Sequence, residues 1–524
     1  MRPPRRTRRA AVALALTAAA AATGVAPAQD APRLERVDAA AGADPDGASR
    51  RPDLSAAGRL LTFESTATNL AADPNGAVRD VFVRDLAAGS TQLVSVTPDG
   101  GGADGASGGA TIASGGGLVV FESDATNLVE GDTNGVRDIF ARAGGGPVRR
   151  ISVAADGGQA NGPSAEPDVS MDGRFVTFTS AADNLVPGDR NGVEDVFVRD
   201  TVADTTRRVS ARAGVEPDGR SRASAIAARG RYVTFHSTAT NLVRGDTNRV
   251  ADVFLRDLRT GRIERVSVSS RGVQQNRAVA QPFFIVADVS RDGRFVVFDS
   301  DADNLVRRDT NRDTDVFVRD LHFGRTERVS LTVRGRQGDN DSYFPAISPD
   351  GRYVGFSSFA GNLWPGDAAG EDVFVHDRRL GITTLLTATA DGRRRGAEAQ
   401  RQLLRRPALA VHAGRVAFTS TAPLTGADRN RAEDVFVRRT AAADGRIVRG
   451  PRGVTRERRP RIRLAADDPR ARVFVCRLDR RVILCPRDGR LPRLRPGRHR
   501  LKVRAGGAGL RFDPTPAVRR FRVR

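Results

Sequence analysis

The sequence predicts an all-β protein built around a seven-bladed β-propeller. Three observations carry that reading: a unit of about 57 to 63 residues occurs seven times, two landmarks keep a fixed order inside every unit, and a strand-like segment near the N-terminus matches a piece missing from the last unit. Repeats of this period set the architecture before any single residue does. The first landmark, Phe-x-Ser, stands at Phe63, Phe121, Phe178, Phe235, Phe298, Phe356 and Phe418. Six residues later an Asn-Leu pair follows in six units, at Asn69, Asn127, Asn184, Asn241, Asn304 and Asn362. The second landmark, Asp-Val/Ile-Phe, begins at Asp80, Asp138, Asp195, Asp252, Asp315, Asp372 and Asp434.

Each unit reads as four short strands. The first ends at Ser170, Ser290 or Ser348, and a turn such as Met171-Asp172-Gly173-Arg174 follows, where Asp-Gly is a strong tight-turn signal. The second strand, Arg174 to Ser180, is apolar on alternate residues; the third runs from Asp195 to Asp200; the fourth is represented by Thr326 to Leu331. Four antiparallel strands per repeat, with no convincing helix between them, is the pattern of a propeller blade. The seventh unit has its third strand at Asp434 to Arg438 and no fourth before the tail. Leu34-Glu35-Arg36-Val37-Asp38 matches the fourth strands Ile263 to Ser267 and Thr326 to Ser330. It is expected to complete the last blade and close the ring, removing the exposed edges.

The termini differ from the ring. Arg2, Arg5, Arg6, Arg8 and Arg9 precede an apolar run from Ala10 to about Ala22 and the small-x-small pattern Ala26-Pro27-Ala28, which predicts a signal peptide over 1–28 cleaved after Ala28. The run falls short of the roughly 18 to 20 residues of a stable span. The paired arginines suit a twin-arginine route, although the rest of that motif is weak. No later stretch is long and apolar enough to cross a bilayer, so a secreted or extracytoplasmic monomer is expected. The propeller is assigned to 29–439, a Pro, Gly and Arg-rich linker to 440–459 and a second domain to 460–524.

The formal charge of +22 suggests nucleic acid until it is mapped. Residues 441–524 carry 26 Lys and Arg against 7 Asp and Glu, and the leader carries +5, which leaves the ring at −2. The basic character therefore sits in the tail, where few aromatics are interleaved, and no nucleic-acid role is expected. An anionic cell surface or polysaccharide suits an exported basic domain better.

The turn Ser348-Pro349-Asp350-Gly351-Arg352, with Tyr353 and Phe356 after it, resembles the WD-like repeats of the TolB propeller family, and Ser170 to Phe178 and Ser290 to Phe298 carry the same pattern. The resemblance covers about 33 to 439. It departs at blade two, where Ser114-Gly115-Gly116-Gly117 lacks the Asp, and at blades four and seven, where Ala228-Arg229 and His412-Ala413 precede the Gly. The resemblance implies an extracytoplasmic propeller that binds a partner; the family's namesake has six blades and a different N-terminal domain, so its partners do not carry over.

The most chemically suggestive motif is Asp-x-Asn-x-x-x-Asp between the second and third strands. It occurs as Asp132, Asn134, Asp138; Asp189, Asn191, Asp195; Asp246, Asn248, Asp252; Asp309, Asn311, Asp315; and Asp428, Asn430, Asp434. Blade one has a longer version, Asp73, Asn75 and Asp80, and blade six keeps Asp367 and Asp372 with Ala369 in place of the Asn. Oxygen donors at the first and third positions of a tight loop, with a later carboxylate, suit Ca²⁺. The fifth-position ligand is mostly missing, and only blade five offers one, Asp313. The competing reading is structural: Asp and Asn close Asx-turns and cap strands, and a turn repeated in every blade needs the same caps in every blade.

No catalytic constellation emerges. Gly105-Ala106-Ser107-Gly108-Gly109 has the spelling of a nucleophile elbow, but its context is a Gly-rich loop between blades one and two with no helix after it. The five histidines, His236, His322, His376, His412 and His499, are scattered and form no i, i+4 pair.

The tail alternates in short strands: Arg461 to Leu464, Arg472 to Cys476, Arg498 to Arg504 and Arg520 to Val523. The chain's two cysteines, Cys476 and Cys485, read as a disulfide closing a hairpin, worth roughly 2 to 3 kcal/mol by the chain-entropy argument. Cys476-Arg477-Leu478-Asp479, Cys485-Pro486, Leu494 to His499 and Asp513 to Ala517 resemble the immunoglobulin-like modules of bacterial exported proteins. That resemblance implies spacing or adhesion. Together these features lead to the expectation of an exported binding or scaffold protein that recognises a protein or glycan at the cell envelope, with a hydrolase or lyase acting on extracellular polysaccharide as the alternative.

Overall fold

The computed structural model describes residues 34–39, 43–277, 287–365, 370–388, 408–410, 414–425, 428–430, 432–439, 444–468, 471, 473–506 and 515–524. The expected signal peptide, Asp367, Ala369 and His412 lie outside them. Seven four-stranded antiparallel sheets form the blades of a propeller. Blade three shows the plan: Ser164–Val169, Phe175–Ser180, Asp195–Asp200 and Thr205–Arg208 pair in sequence order. The last blade is closed by the N-terminal segment as expected. Leu34–Arg36 pairs with Asp434–Arg439 in the register Leu34 to Arg438 and Arg36 to Phe436.

The landmark phenylalanines are the reason the blades stack. Each Phe-x-Ser phenylalanine lies opposite the phenylalanine of the third strand, as Phe178 does Phe197 at a centroid distance of 5.9 Å, and the same offset stack recurs in all seven blades at 5.7 to 6.0 Å. These rings are fully buried. Between neighbouring blades, apolar residues of one sheet interlock with those of the next, as Ile139, Ala141 and Ile151 do with Val176 and Phe178. A buried aromatic pair per blade supplies both large area burial and a preferred ring geometry.

The first strands face the axis, and each described pairing of a complete first strand carries the same irregularity. Register shifts fall between Arg50 and Asp53, Gly108 and Thr111, Ala165 and Asp168, Arg222 and Ala225, and Tyr343 and Ala346. The residue inside each bulge has positive φ: Arg51 49°, Gly109 58°, Glu166 54°, Ala223 53° and Phe344 54°. Four such conformations at non-glycine residues are costly and persist only where surroundings fix them. Here the bulge turns an amide N–H towards the previous blade. Gly109 N–H donates to Glu64, Glu166 N–H to Glu122, Ala223 N–H to Glu166 and Phe344 N–H to Asp299.

Two expectations are corrected. Ser107 belongs to the first strand of blade two, Ser107–Ile112, rather than to a loop; it is buried and hydrogen-bonded to Ser123 at 2.8 Å, so it presents no nucleophile. A Cβ on the neighbouring Gly108 would lie 2.3 Å from Glu64 Oε2, which explains the glycine by close approach rather than by catalysis. The stretch 440–459 is also more than a linker: Gly445–Arg449 and Gly453–Thr455 are strands of the second domain. That domain has a three-stranded and a five-stranded sheet. Ile462 and Leu464 of the first share one core with Phe474, Leu501, Val503 and Phe521 of the second. Cys476 and Cys485 are disulfide-bonded across the hairpin of Val473–Leu478 and Arg481–Cys485. Val475, flanked by Val473 and Leu484, joins the propeller's apolar cluster that contains Val333, Leu363 and Trp364, so the sandwich is docked on the ring. Among the described residues, no helix is long and apolar enough to cross a membrane.

Candidate functional site

The Asp-x-Asn loops fold into compact polar knots. In blade three, Asn191 Nδ2 donates to Asp195 Oδ2 at 2.8 Å, its Oδ1 accepts from Val193 N–H, and Ser210 Oγ donates to Asp195 Oδ1 at 2.5 Å. Arg208, from the fourth strand, then places Nη1 2.8 Å from Asp189 Oδ1 and 3.0 Å from Asp195 Oδ2. The guanidinium thus sits between the two carboxylates. Burial pushes Asp189 up to about 6 even with Arg208 opposing it, and the acids around Arg208 raise its own affinity for the proton more than burial lowers it.

The same knot recurs in the other blades that carry the motif in its seven-residue form. Arg150 reaches Asp132 at 2.8 Å and Asp138 at 3.4 Å; Arg265 lies 3.3 Å from both Asp246 and Asp252; Arg328 lies 3.0 Å from Asp309 and 2.5 Å from Asp315. Asn134, Asn248 and Asn430 hold Asp138, Asp252 and Asp434, while Asn311 donates to the Gly338 carbonyl. In blade seven the arginine is Arg36 of the closing strand, 3.7 Å from Asp428 and 3.5 Å from Asp434. There Asp38 takes the place of the serine; burial drives both Asp38 and Asp434 upward, and the Asp38 carboxyl pushes Asp434 further the same way. The fifteen loop residues singled out by the motif are therefore brought together blade by blade, five times around an arginine that the motif did not include.

Blade one differs. Its fourth strand, Ser90–Leu93, puts Leu93 opposite Phe82, the register that Arg208 holds opposite Phe197. Ser95 still donates to Asp80 Oδ1 at 2.6 Å, and Asn75 Nδ2 to the Ala103 carbonyl at 2.8 Å. Asp73 Oδ2, Asn75 Oδ1 and Asp80 Oδ2 are buried without a hydrogen-bond partner. In blade six the fourth strand carries Leu385 at this register, and Thr387 donates to Asp372. Among the described residues no group of three or more His, Cys, Asp or Glu side chains is arranged to hold a metal ion.

The second polar network lines the axis. A cavity of 580 Å³ opens among blades one to four, bounded by Arg51, Glu122, Arg137, Glu166, Glu194 and Arg222 and by small residues between them. Its two central carboxylates are engaged from several sides. Glu122 lies 3.4 Å from Arg51 and 3.8 Å from Arg137 besides accepting from Glu166 N–H; Glu166 accepts from Thr179 Oγ1 and Ala223 N–H. Arg137 also holds Asp124 with two contacts of 2.9 Å. Among the described residues Arg222 pairs with Glu194 alone, at 3.9 Å, and its Nε is buried without a hydrogen-bond partner. Among the described histidines none lines this cavity. Burial pushes His236 down to about 3 and His376 down to about 4, so both are neutral inside the blades.

On the sandwich, Arg498, Arg500, Lys502 and Arg504 alternate with buried Leu501 and Val503 along Gly497–Gly506. Arg477, Arg480, Arg500 and Lys502 border a shallow hollow of 170 Å³ with Asp479. Neighbouring Arg500 lowers the proton affinity of Lys502, as expected where like charges crowd.

No protein-family model matches the chain, and no curated protein matches it. Solved structures do resemble it. An oligogalacturonate lyase of Vibrio parahaemolyticus superposes with a TM-score of 0.47 at 10% identity, covering 78% of this chain and 97% of its own. The Dos1 propeller gives 0.40 at 10%, covering 78% and 94%. A TolB protein of Agrobacterium tumefaciens gives 0.34 at 18%, covering 63% and 90%. Peptidases with propellers are among the other matches. At these identities the likeness concerns fold alone, and the chain itself is a seven-bladed β-propeller joined to a small β-sandwich.

Proposed function

We propose that this protein is an exported binding or scaffold protein whose axial cavity among blades one to four receives a protein or glycan ligand outside the cytoplasm. The observation that carries the reading is the state of the cavity's carboxylates. Glu122 and Glu166 are tied to arginines, a hydroxyl and main-chain amides, so they form a fixed wall of hydrogen-bonding groups. A general acid or base needs a carboxyl free to exchange a proton with substrate. A rigid polar wall with a loosely held arginine, Arg222, suits recognition of a hydroxyl-rich or acidic group. The disulfide supports an extracytoplasmic setting, and the row of basic side chains on the sandwich supports an anionic surface as the larger partner.

The test is direct. Purified protein is titrated by calorimetry with neutral and uronic-acid oligosaccharides and with peptides from envelope proteins. Arg222→Ala is expected to weaken binding at least tenfold while leaving the circular dichroism spectrum intact. Cleavage of the oligosaccharide, abolished by Glu122→Gln or Glu166→Gln, would favour the hydrolase or lyase reading instead.

A further inference from the structure

We infer that the loop of blade one binds a calcium-like divalent cation at Asp73, Asn75 and Asp80, in the position where five sister blades hold the guanidinium of an arginine. The seven blades make the comparison internally. Blades two to five and seven each enclose Arg150, Arg208, Arg265, Arg328 or Arg36 between a loop aspartate and the aspartate that opens the third strand. Blade one keeps both aspartates and the asparagine but has Leu93 at the arginine's register. Asp80 is fully buried, and its Oδ2 has no partner; Asp73 Oδ2 and Asn75 Oδ1 are buried and unpartnered beside it. Two carboxylate oxygens on one loop therefore lack the positive charge that the same loop receives elsewhere, and the asparagine oxygen lacks the main-chain N–H that it accepts from in blades two, three, four and seven.

Two carboxylate oxygens and one amide oxygen form a hard donor set, and calcium accepts such ligands together with main-chain carbonyls and water. Blade six is a counterexample within the ring: it also lacks the arginine, with Leu385 at that register, but it has lost the asparagine as well, Ala369 standing in its place. The donor set survives in the blade that lost only the arginine. Calcium, not lysine or arginine from elsewhere, is the occupant this chemistry selects: two carboxylates close enough for Asp73 to act on Asp80 favour a divalent ion, and the loop is one residue longer than its sisters, which suits a cation that takes six or more ligands.

The experiment uses the full chain freed of metal by chelation. Calorimetric titration with calcium chloride is expected to show one site, with an affinity in the range of extracellular modules, about 10⁻⁴ to 10⁻³ M. At tenfold saturation the melting temperature should rise by about 2 °C. Asp73→Asn should lose the heat and the shift. Leu93→Arg, which restores the sister blades' guanidinium, should melt at or above the calcium-free parent and ignore calcium; should it fail to fold, Asp73→Asn alone decides. Absence of a calcium heat in the parent, or its survival in Asp73→Asn, overturns the assignment.

Discussion

Blades one and three differ at one register position, and the difference shows what the Asp-x-Asn loop is for. In blade three a side chain from the last strand reaches back 19 residues to Asp189 and 13 to Asp195, tying the blade's outermost strand to its second loop. In blade one the outermost strand offers Leu93, which packs with Phe82 and Leu54 in the apolar interior, and buried oxygens of the loop are left without a hydrogen-bond partner. The loop is thus a general anionic socket. Its charge can be met from within the chain, and the repeats use one solution five times.

The comparison can be broken most forcefully at its centre. Arg208→Ala leaves Asp189 and Asp195 buried and unpaired, and is expected to cost about 3–5 kcal/mol in urea unfolding. Leu93→Ala removes apolar packing instead, about 2–5 kcal/mol, and its cost should be the same with and without salt. If Arg208→Ala costs less than 1 kcal/mol, the arginine is not what holds blade three together. Next comes the asparagine: Asn191→Ala removes the donor to Asp195 and should cost about 1–3 kcal/mol.

A pH series sharpens the comparison further. Burial pushes Asp189, Asp252 and Asp309 up to about 6. A carboxyl raised in the folded state holds its proton longer there than in the unfolded chain. The stability it contributes is therefore fully present below about pH 4 and is lost as pH rises through about 6. The melting temperature should fall between pH 5 and pH 7.5, and Asp252→Asn should flatten that slope; a melting temperature that climbs over this interval would contradict the assignment. The smallest effect is expected outside the knots. Arg174 and Asp200 pair at 2.7 Å at the blade's solvent-facing turn, and Arg174→Ala should change the melting temperature by no more than the scatter of repeat measurements.

Much of the ring was legible because its landmarks are structural. The phenylalanines of Phe-x-Ser and Asp-Val-Phe are the stacked pairs, and the match of Leu34 to Asp38 to other fourth strands identified the closing strand. The arginines of the knots were harder to find. Arg265 and Arg328 were visible in the very segments that defined the fourth strand, yet their partners lie in a loop before the preceding strand, and spacing along the chain does not say which faces meet. A signal existed: the fourth strand carries Arg in five units and Leu in two, Leu93 and Leu385. The axial wall was missed for another reason. A bulge in each complete first strand among the described residues breaks the alternation by which inward residues are read, so Arg51, Glu166 and Arg222 carried no sequence mark. The strands in 440–459 escaped because Arg446-Ile447-Val448-Arg449 is short and set among glycine, proline and arginine.

The closing strand also has a mechanical meaning. Three residue pairs, Leu34 with Arg438 to Arg36 with Phe436, fasten two ends of the ring that lie about four hundred residues apart in the chain. Arg36 brings to that fastening the charge that Asp428 and Asp434 require. During synthesis the last blade therefore waits with an uncompensated acidic loop until the first strand threads back to it. A tug on the N-terminal segment would strip one strand and one cation from the last blade together. The ring behaves as a clasp that only a correctly threaded chain can shut.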